Sequence, residues 1–137
     1  MEEKFKPIKT IHIALVLGIT LAYFLIGDLQ NLDFLHMPET DTTLYLFLLI
    51  PIAAVFLGNM LYKQQLKNGE RDQPLENKIG IYQTASLIRW AMVEGAAFLI
   101  LFLKKELIII GICLILYLVL LWPSQERMKR DFKMVGN

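Results

Sequence analysis

Long apolar runs alternate with short polar blocks along this chain, and most of the charged residues lie in the blocks. A helix needs about 20 apolar residues to cross a bilayer, because each residue adds about 1.5 Å toward a hydrocarbon core of about 30 Å. The pattern predicts an all-α polytopic membrane protein, a single domain over 1–137 with four transmembrane helices in an antiparallel bundle. The predicted spans are about 9–27, 44–62, 79–103 and 106–122, followed by a short basic tail, 123–137.

Small residues recur four positions apart in three of the predicted spans. This spacing is typical of membrane helices that approach each other closely. We therefore predict helix-packing positions at Ala14, Gly18 and Ala22, at Ala54 and Gly58, and at Ala91 and Gly95.

The tail combines apolar and basic residues at helical spacing. Pro123 and Ser124 are residues typical of a helix start, and Met128 and Phe132 follow one turn apart among Arg and Lys. We expect a short basic amphipathic helix lying on an anionic membrane surface.

Composition agrees with a membrane location. Hydrophobic residues make up 55% of the 137 residues, above the roughly 45–50% of soluble domains. The net charge of +1 indicates no class of partner. The single cysteine, Cys113, lies within an apolar run and is expected to be a small packing residue.

The distribution of basic residues predicts the orientation. Segment 28–43 has no Lys or Arg, whereas segment 63–78 has four and the leading residues have Lys4, Lys6 and Lys9. The tail has four more, and only the pair Lys104–Lys105 conflicts. The positive-inside rule predicts a bacterial cytoplasmic (inner) membrane protein with both termini and the second loop cytoplasmic. No small-x-small cleavage site follows the first apolar run, so we expect it to be a retained span.

Two ionisable residues, Arg89 and Glu94, lie in the middle of the third span. Such a residue at the centre of a membrane helix costs roughly 2.5–3.5 kcal/mol on insertion scales, so each is expected to have a use or a partner. Five residues separate them by about 140° around the helix, and side chains lean toward the N-terminus, so a mutual ion pair is not expected. Tyr117 is the polar aromatic nearest in depth to Arg89. We expect Arg89 to have a structural role, either packed against Tyr117 or extended toward the headgroups.

Glu94 shares a helix face with Gln83 and lies beside Ala91 and Gly95. Desolvation at this depth is expected to favour the neutral carboxylic acid. Two interpretations stay open. Glu94 donates a hydrogen bond, for example to Thr20 or to the carbonyl released by Pro51, or it exchanges a proton or cation.

A family resemblance rests on the sequences RDQP and QTASLIRWAMVEGAAFLILF. They resemble the second half of the proteolipid c subunit of rotary ATP synthases. Arg71, Gln73 and Pro74 are similar to the family's Arg-Gln-Pro loop motif. Glu94 matches the mid-membrane carboxylate, which in that family binds the transported proton or sodium ion. Neighbouring residues that resemble common family choices are Gln83, Thr84, Ala91 and Val93.

The chain also differs from the c subunit. Its second span has only Gly58 where the family's first helix has regularly spaced glycines, Asp72 splits the loop motif, and Arg89 has no counterpart. The first and fourth spans are additional. We therefore expect a separate group of small four-span bacterial membrane proteins, whose third span resembles the second helix of the c subunit.

The motifs of several function classes are missing. The sequence has no Gly-rich phosphate loop, no Ser-His-Asp set and no metal-ligand spacing, since His36, Glu39 and Asp41 match no known motif. We predict a non-enzymatic protein without cofactor, metal or nucleic-acid partner. Its partners are expected to be the bilayer and either further copies or other membrane subunits. The favoured function is a structural or accessory subunit of a membrane assembly, and the alternative is a transporter or channel subunit using Glu94.

Overall fold

All regular structure in the described part of the chain is helical. The computed structural model describes residues 2–26, 42–69, 74–103 and 107–136. A 3-10 turn over Glu2–Phe5 precedes the α-helices. These are α1 (Lys6–Ile26), α2 (Thr42–Leu66), α3 (Leu75–Leu103), α4 (Ile108–Leu120) and α5 (Gln125–Met134). The all-α prediction is confirmed.

Three of these helices are long and apolar enough to cross a membrane, within Glu3–Ile26, Tyr45–Leu66 and Glu76–Leu103. The fourth apolar run differs from the other three. α4 has 13 residues, about 20 Å of helix, which is less than a hydrocarbon core. α4 and α5 are long and apolar enough to cross a membrane only when they are taken together, and the angle between them is 98°. The described residues thus contain three candidate spans, or four if the bent pair is one span.

The helices start and end at chemically typical residues. α3 begins directly after Pro74, where the missing N–H of proline has no consequence. Ser124 caps α5 as the sequence indicates, its Oγ accepting a hydrogen bond from the Arg127 N–H at 3.1 Å. α2 continues through Pro51 and reaches Leu66, beyond the predicted apolar run, so its last turn is polar.

α3 is the central helix of the bundle. It contacts α1, α2 and α4. In its most apolar stretch 44% of the residues are buried, against 22% in α1 and in α2. Neighbouring contacts fix the directions. On α2, Gly58 lies against Arg89, and the later Tyr62 packs on the earlier Tyr82 of α3. On α1, His12 meets Leu118, and the later Tyr23 meets the earlier Gly111 of α4. His12 and Tyr23 meet Trp90 and Ala97 of α3 in the same order, so α1 and α3 are parallel. Consecutive helices therefore run antiparallel, up and down around a single core.

Two polar side chains of α1 join it to α3 and α4. His12 is buried, and its Nε2 lies 2.7 Å from the carbonyl oxygen of Leu118, with its ring against Trp90. Tyr23 donates a hydrogen bond to the carbonyl oxygen of Ala97 at 2.6 Å. Its ring occupies the space that a side chain at Gly111 would need. These contacts satisfy Nε2 of His12 and the hydroxyl of Tyr23 inside the core, whereas Nδ1 of His12 is buried without a partner among the described residues.

One end of the bundle collects the N-terminal residues, the end of α2, the start of α3 and the whole of α5. Lys4 lies 3.5 Å from Glu76, and Phe5 packs on Tyr82. α5 turns across this end instead of extending from it. Its apolar residues Met128 and Phe132 are buried within the protein, so the expectation that they rest on the membrane surface is wrong. They cover the end of the apolar core, while Lys129, Arg130 and Lys133 of α5 are exposed.

Several sequence predictions concern residues outside the described ranges. These are the first loop with His36, Glu39 and Asp41, the basic pair Lys104–Lys105, and the loop residues Arg71 and Gln73.

Candidate functional site

Arg89 lies at the centre of a polar cluster inside the bundle. Its side chain is buried, with 8% of the residue exposed, although it lies midway along an apolar helix. The guanidinium carbon is 3.7 Å from the ring centroid of Tyr62 on α2. At this distance the positive charge is attracted to the face of the ring, and the attraction is largest where water is excluded.

A close approach of α2 to α3 makes this contact possible. Gly58 lies one turn before Tyr62, and a Cβ at Gly58 would meet the Arg89 side chain at 3.6 Å and Met92 at 3.5 Å. Ala54 is buried one turn earlier still. Small residues on α2 thus let the two backbones come close enough for Arg89 to reach across α2.

Asn59 connects Arg89 to α4. Its Oδ1 accepts a hydrogen bond from Nη1 of Arg89 at 3.5 Å and another from the hydroxyl of Tyr117 at 3.3 Å. The sequence placed Tyr117 at the depth of Arg89, and the structure brings both to one amide oxygen. The ring that faces the guanidinium belongs to Tyr62 instead.

Tyr62 extends the cluster to α5. Its hydroxyl donates to Oδ2 of Asp131 at 2.6 Å, and Asp131 is 7% exposed. Oδ1 of Asp131 accepts from Nε of Arg130 at 3.1 Å. Both carboxylate oxygens are therefore hydrogen-bonded, which offsets the cost of burying the charge. The chain Arg89–Tyr62–Asp131 links the middle of α3 to the tail helix.

A cavity of about 500 Å³ opens beside this cluster. Its charged lining consists of four cations and one carboxylate, a net charge of three positive. The lining side chains are Asn59, Tyr62, Lys63, Leu66, Arg89, Leu121, Arg127, Arg130, Asp131 and Met134. Nε of Arg89 is buried without a hydrogen-bond partner among the described residues. The excess positive charge of the lining suits an anion.

Glu94 lies apart from this cavity. It is half-buried on α3, and no hydrogen bond or ion pair joins it to another described residue. Thr20 is exposed on α1, and Gln83 is half-buried. Neither Thr20 nor Gln83 is hydrogen-bonded to Glu94 or to Arg89 within the described ranges. The structure therefore does not bring together the polar residues predicted to surround Glu94.

The small-residue positions divide into two groups. Ala54 and Gly58 are buried between α2 and α3. By contrast, Ala14, Gly18, Ala91 and Gly95 are exposed, and Ala22 is half-buried. A Cβ at Gly18 or at Gly95 would meet nothing within 4 Å. The α2 pair is buried inside this chain, and Ala22 packs partly against its core.

Sequence reasoning missed several members of the cluster. The sequence predicts Tyr62 as the last residue of the second span and Lys63 as part of the polar segment that follows. It places Arg127, Arg130 and Asp131 in the tail. Asn59 was the available signal, as the one strongly polar side chain of the second span. Position 52 and Arg89 are equally far along the chain from segment 63–78, so a simple hairpin of the two helices would place them opposite each other. In the structure, Asn59 and Tyr62 lie beside Arg89 instead. The difference is about two helical turns for Asn59, although α2 and α3 extend equally far into the polar segment.

Comparison of the chain with protein-family models, curated proteins and solved structures found no match.

Proposed function

We propose that this chain is a small four-span integral protein of the bacterial cytoplasmic membrane, with both termini cytoplasmic, that serves as a structural or accessory subunit of a membrane assembly. The observation that carries the proposal is the exposure of Gly18 and Gly95 on apolar helices. Lipid chains need no small residues, whereas a neighbouring helix does, because small residues let two backbones approach closely.

The state of the two intramembrane charges supports this function. Arg89 is enclosed by Tyr62 and Asn59 of its own chain, so it stabilises the bundle. Glu94 has no partner among the described residues, and it lies on α3 between the exposed Ala91 and Gly95. A carboxyl group in an apolar layer is stabilised by a hydrogen bond. A partner helix packed on Ala91 and Gly95 would supply one.

The test is the native mass of the protein in mild detergent. Gly18→Leu and Gly95→Leu add bulk where this chain has room, so the monomer should fold normally. We expect the native mass to fall toward that of the monomer in one or both variants. Leu120→Phe is the control, because Leu120 is an exposed apolar residue (69% exposed) on α4, whereas Gly18 and Gly95 lie on α1 and α3. A wild-type protein that is monomeric, or native masses unchanged by both substitutions, would count against the proposal.

The alternative is a proton- or cation-coupled transporter or channel subunit in which Glu94 exchanges the ion. The lack of any described partner for Glu94 and the resemblance to the c subunit favour it. In proteoliposomes with an imposed pH gradient, Glu94→Gln should abolish flux while the folded yield is kept. Flux in the wild type that Glu94→Gln removes would establish transport, and the absence of flux in the wild type would leave the accessory role.

A further inference from the structure

We propose that the cavity between α2, α3, α4 and α5 is a binding site for a phosphate group, carried by an anionic phospholipid or by a soluble phosphate compound. The inference rests on the charge, the burial and the unused donors of the cavity lining, and it does not depend on the proposed assembly role.

The cations are arranged from exposed to buried along the cavity. Lys63 and Arg130 are exposed, Arg127 is half-buried, and Arg89 is 8% exposed. Asn59, which is bonded to Arg89, lies one turn deeper on α2 than Lys63. An anion entering between Lys63 and Arg130 therefore meets more positive charge as it leaves water. This order suits a head group that enters from the interface.

The one carboxylate in the lining does not cancel this charge. Oδ2 of Asp131 accepts from Tyr62 and Oδ1 accepts from Arg130, so both oxygens point to protein donors. Nη1 of Arg127 donates to the carbonyl oxygen of Leu120 at 2.8 Å, and this bond fixes the guanidinium group beside the cavity. Donors beyond those bonds remain on Arg127, Arg130 and Lys63.

Arg89 supplies the observation that points to a ligand. Its Nε is buried and unpartnered among the described residues, and its one hydrogen bond there, to Asn59, is long at 3.5 Å. Guanidinium groups bind phosphate oxygens through paired N–H donors. Basic pockets between transmembrane helices at the cytoplasmic side bind anionic head groups in the same way. A phosphate group in the cavity would accept hydrogen bonds from the free donors of Arg127, Arg130 and Lys63.

The experiment measures binding of short-chain phosphatidylglycerol to the detergent-solubilised full chain by native mass spectrometry, with the shift of Tm as a second readout. The test variant is Lys63→Gln/Arg130→Gln. The matched control is Lys129→Gln/Lys133→Gln, which removes the same charge from exposed positions that do not line the cavity. A single-residue pair, Lys63→Gln against Lys67→Gln on α2, leaves the partner of Asp131 intact.

We expect the test variant to bind phosphatidylglycerol roughly 30-fold more weakly, since each lost basic residue near a membrane surface costs about 1 kcal/mol. The control should bind within about threefold of the wild type, and phosphatidylcholine should bind the wild type at least tenfold more weakly. Equal losses in the two double variants, equal binding of the two lipids, or no binding of either phosphatidylglycerol or inorganic phosphate would overturn the proposal.

A second arm distinguishes the two sources of phosphate. Inorganic phosphate is added to the lipid-free protein and then to the protein with phosphatidylglycerol. Stabilisation by phosphate alone, lost in the Lys63→Gln variant, would assign the site to a soluble phosphate compound. Phosphatidylglycerol binding that inorganic phosphate does not displace would assign it to a lipid head group. Both results support the phosphate site.

Discussion

Arg89 is buried without a carboxylate partner among the described residues. A tyrosine face, an amide oxygen and the beginning of a polar cavity surround it instead. A neutral environment of this kind stabilises the charge mainly through the ring and through the hydrogen bond, so the contact of Arg89 with Tyr62 should be a large part of the stability of the cluster.

Substitution of Arg89 by Ala should lower the stability of the protein. The change empties a packed site and leaves Oδ1 of Asn59 with a single donor, Tyr117. We expect a loss of about 2 kcal/mol or more, seen as a lower Tm in detergent and a lower folded yield. Lys129→Ala is the control, because Lys129 is exposed on α5 and does not line the cavity. Equal melting of Arg89→Ala and wild type would show that Arg89 is not a packing residue.

Gly111 and Gly18 provide a second comparison at the residue scale. A Cβ at Gly111 would collide with the ring of Tyr23, whereas a Cβ at Gly18 would meet nothing within 4 Å. Gly111→Ala should therefore destabilise the protein by about 1–3 kcal/mol, as overpacking does, and Gly18→Ala should leave monomer stability nearly unchanged.

The coupling between Gly111 and Tyr23 can be measured directly. In the double variant Gly111→Ala/Tyr23→Ala the combined loss should be smaller than the sum of the two single losses, because the new methyl group then has room. Additive losses in thermal unfolding would mean that the two residues do not compete for the same space.

At the scale of elements, α5 is part of the bundle. Its apolar residues close the end of the core, and the ring of Phe132 lies 5.2 Å from Nζ of Lys78. The hydrogen bond from Tyr62 to Asp131 is the polar connection that holds α5 on α2. The burial of Met128 and Phe132 supplies the apolar part of this docking.

Removal of that hydrogen bond should release α5. Tyr62→Phe keeps the ring that faces Arg89 but leaves Oδ2 of Asp131 without its donor, at a cost of about 1–3 kcal/mol. Amide hydrogen exchange over Gln125–Met134 should become faster, while exchange in α3 stays slow. Tyr45→Phe, at an exposed tyrosine, is the control. Unchanged protection of α5 in Tyr62→Phe would contradict this account of docking.

For the whole molecule, the helix directions place the N-terminal residues, the end of α2 and α5 at one end. In the proposed orientation this end faces the cytoplasm. In a Cys113→Ser background, cysteines at positions 67 and 129 should react with a membrane-impermeant maleimide only in inside-out vesicles, and a cysteine at position 36 only in intact cells. Reaction of positions 67 and 129 from opposite sides would contradict the bundle, and reaction of both from outside would reverse the proposed orientation.

The apolar runs and the polar blocks between them were sufficient to predict the helices. Helix number and direction follow from span length and from the polar blocks, which are local properties. The register between α2 and α3 is not local, because it depends on which side chains of the two helices pack together, such as Arg89 against Gly58. For this reason the sequence placed Tyr117 near Arg89 but missed Tyr62. The docking of Met128 and Phe132 on protein also depends on the 98° bend, which no short-range pattern records.

The hydrogen bonds of α1 have a consequence for biosynthesis. His12 is bonded to the carbonyl of Leu118, and Tyr23 to the carbonyl of Ala97. A ribosome releases the N-terminal residues first, so in the proposed membrane protein both side chains would reach the bilayer before their acceptors have been translated. Until α4 is inserted, α1 must remain where water or another helix can form hydrogen bonds with His12 and Tyr23. The Arg89 cluster is completed later still, because the partner of Tyr62 is residue 131. Membrane integration of this chain is therefore expected to be coupled to its final folding, with the first helix held beside the insertion machinery until the last ones arrive.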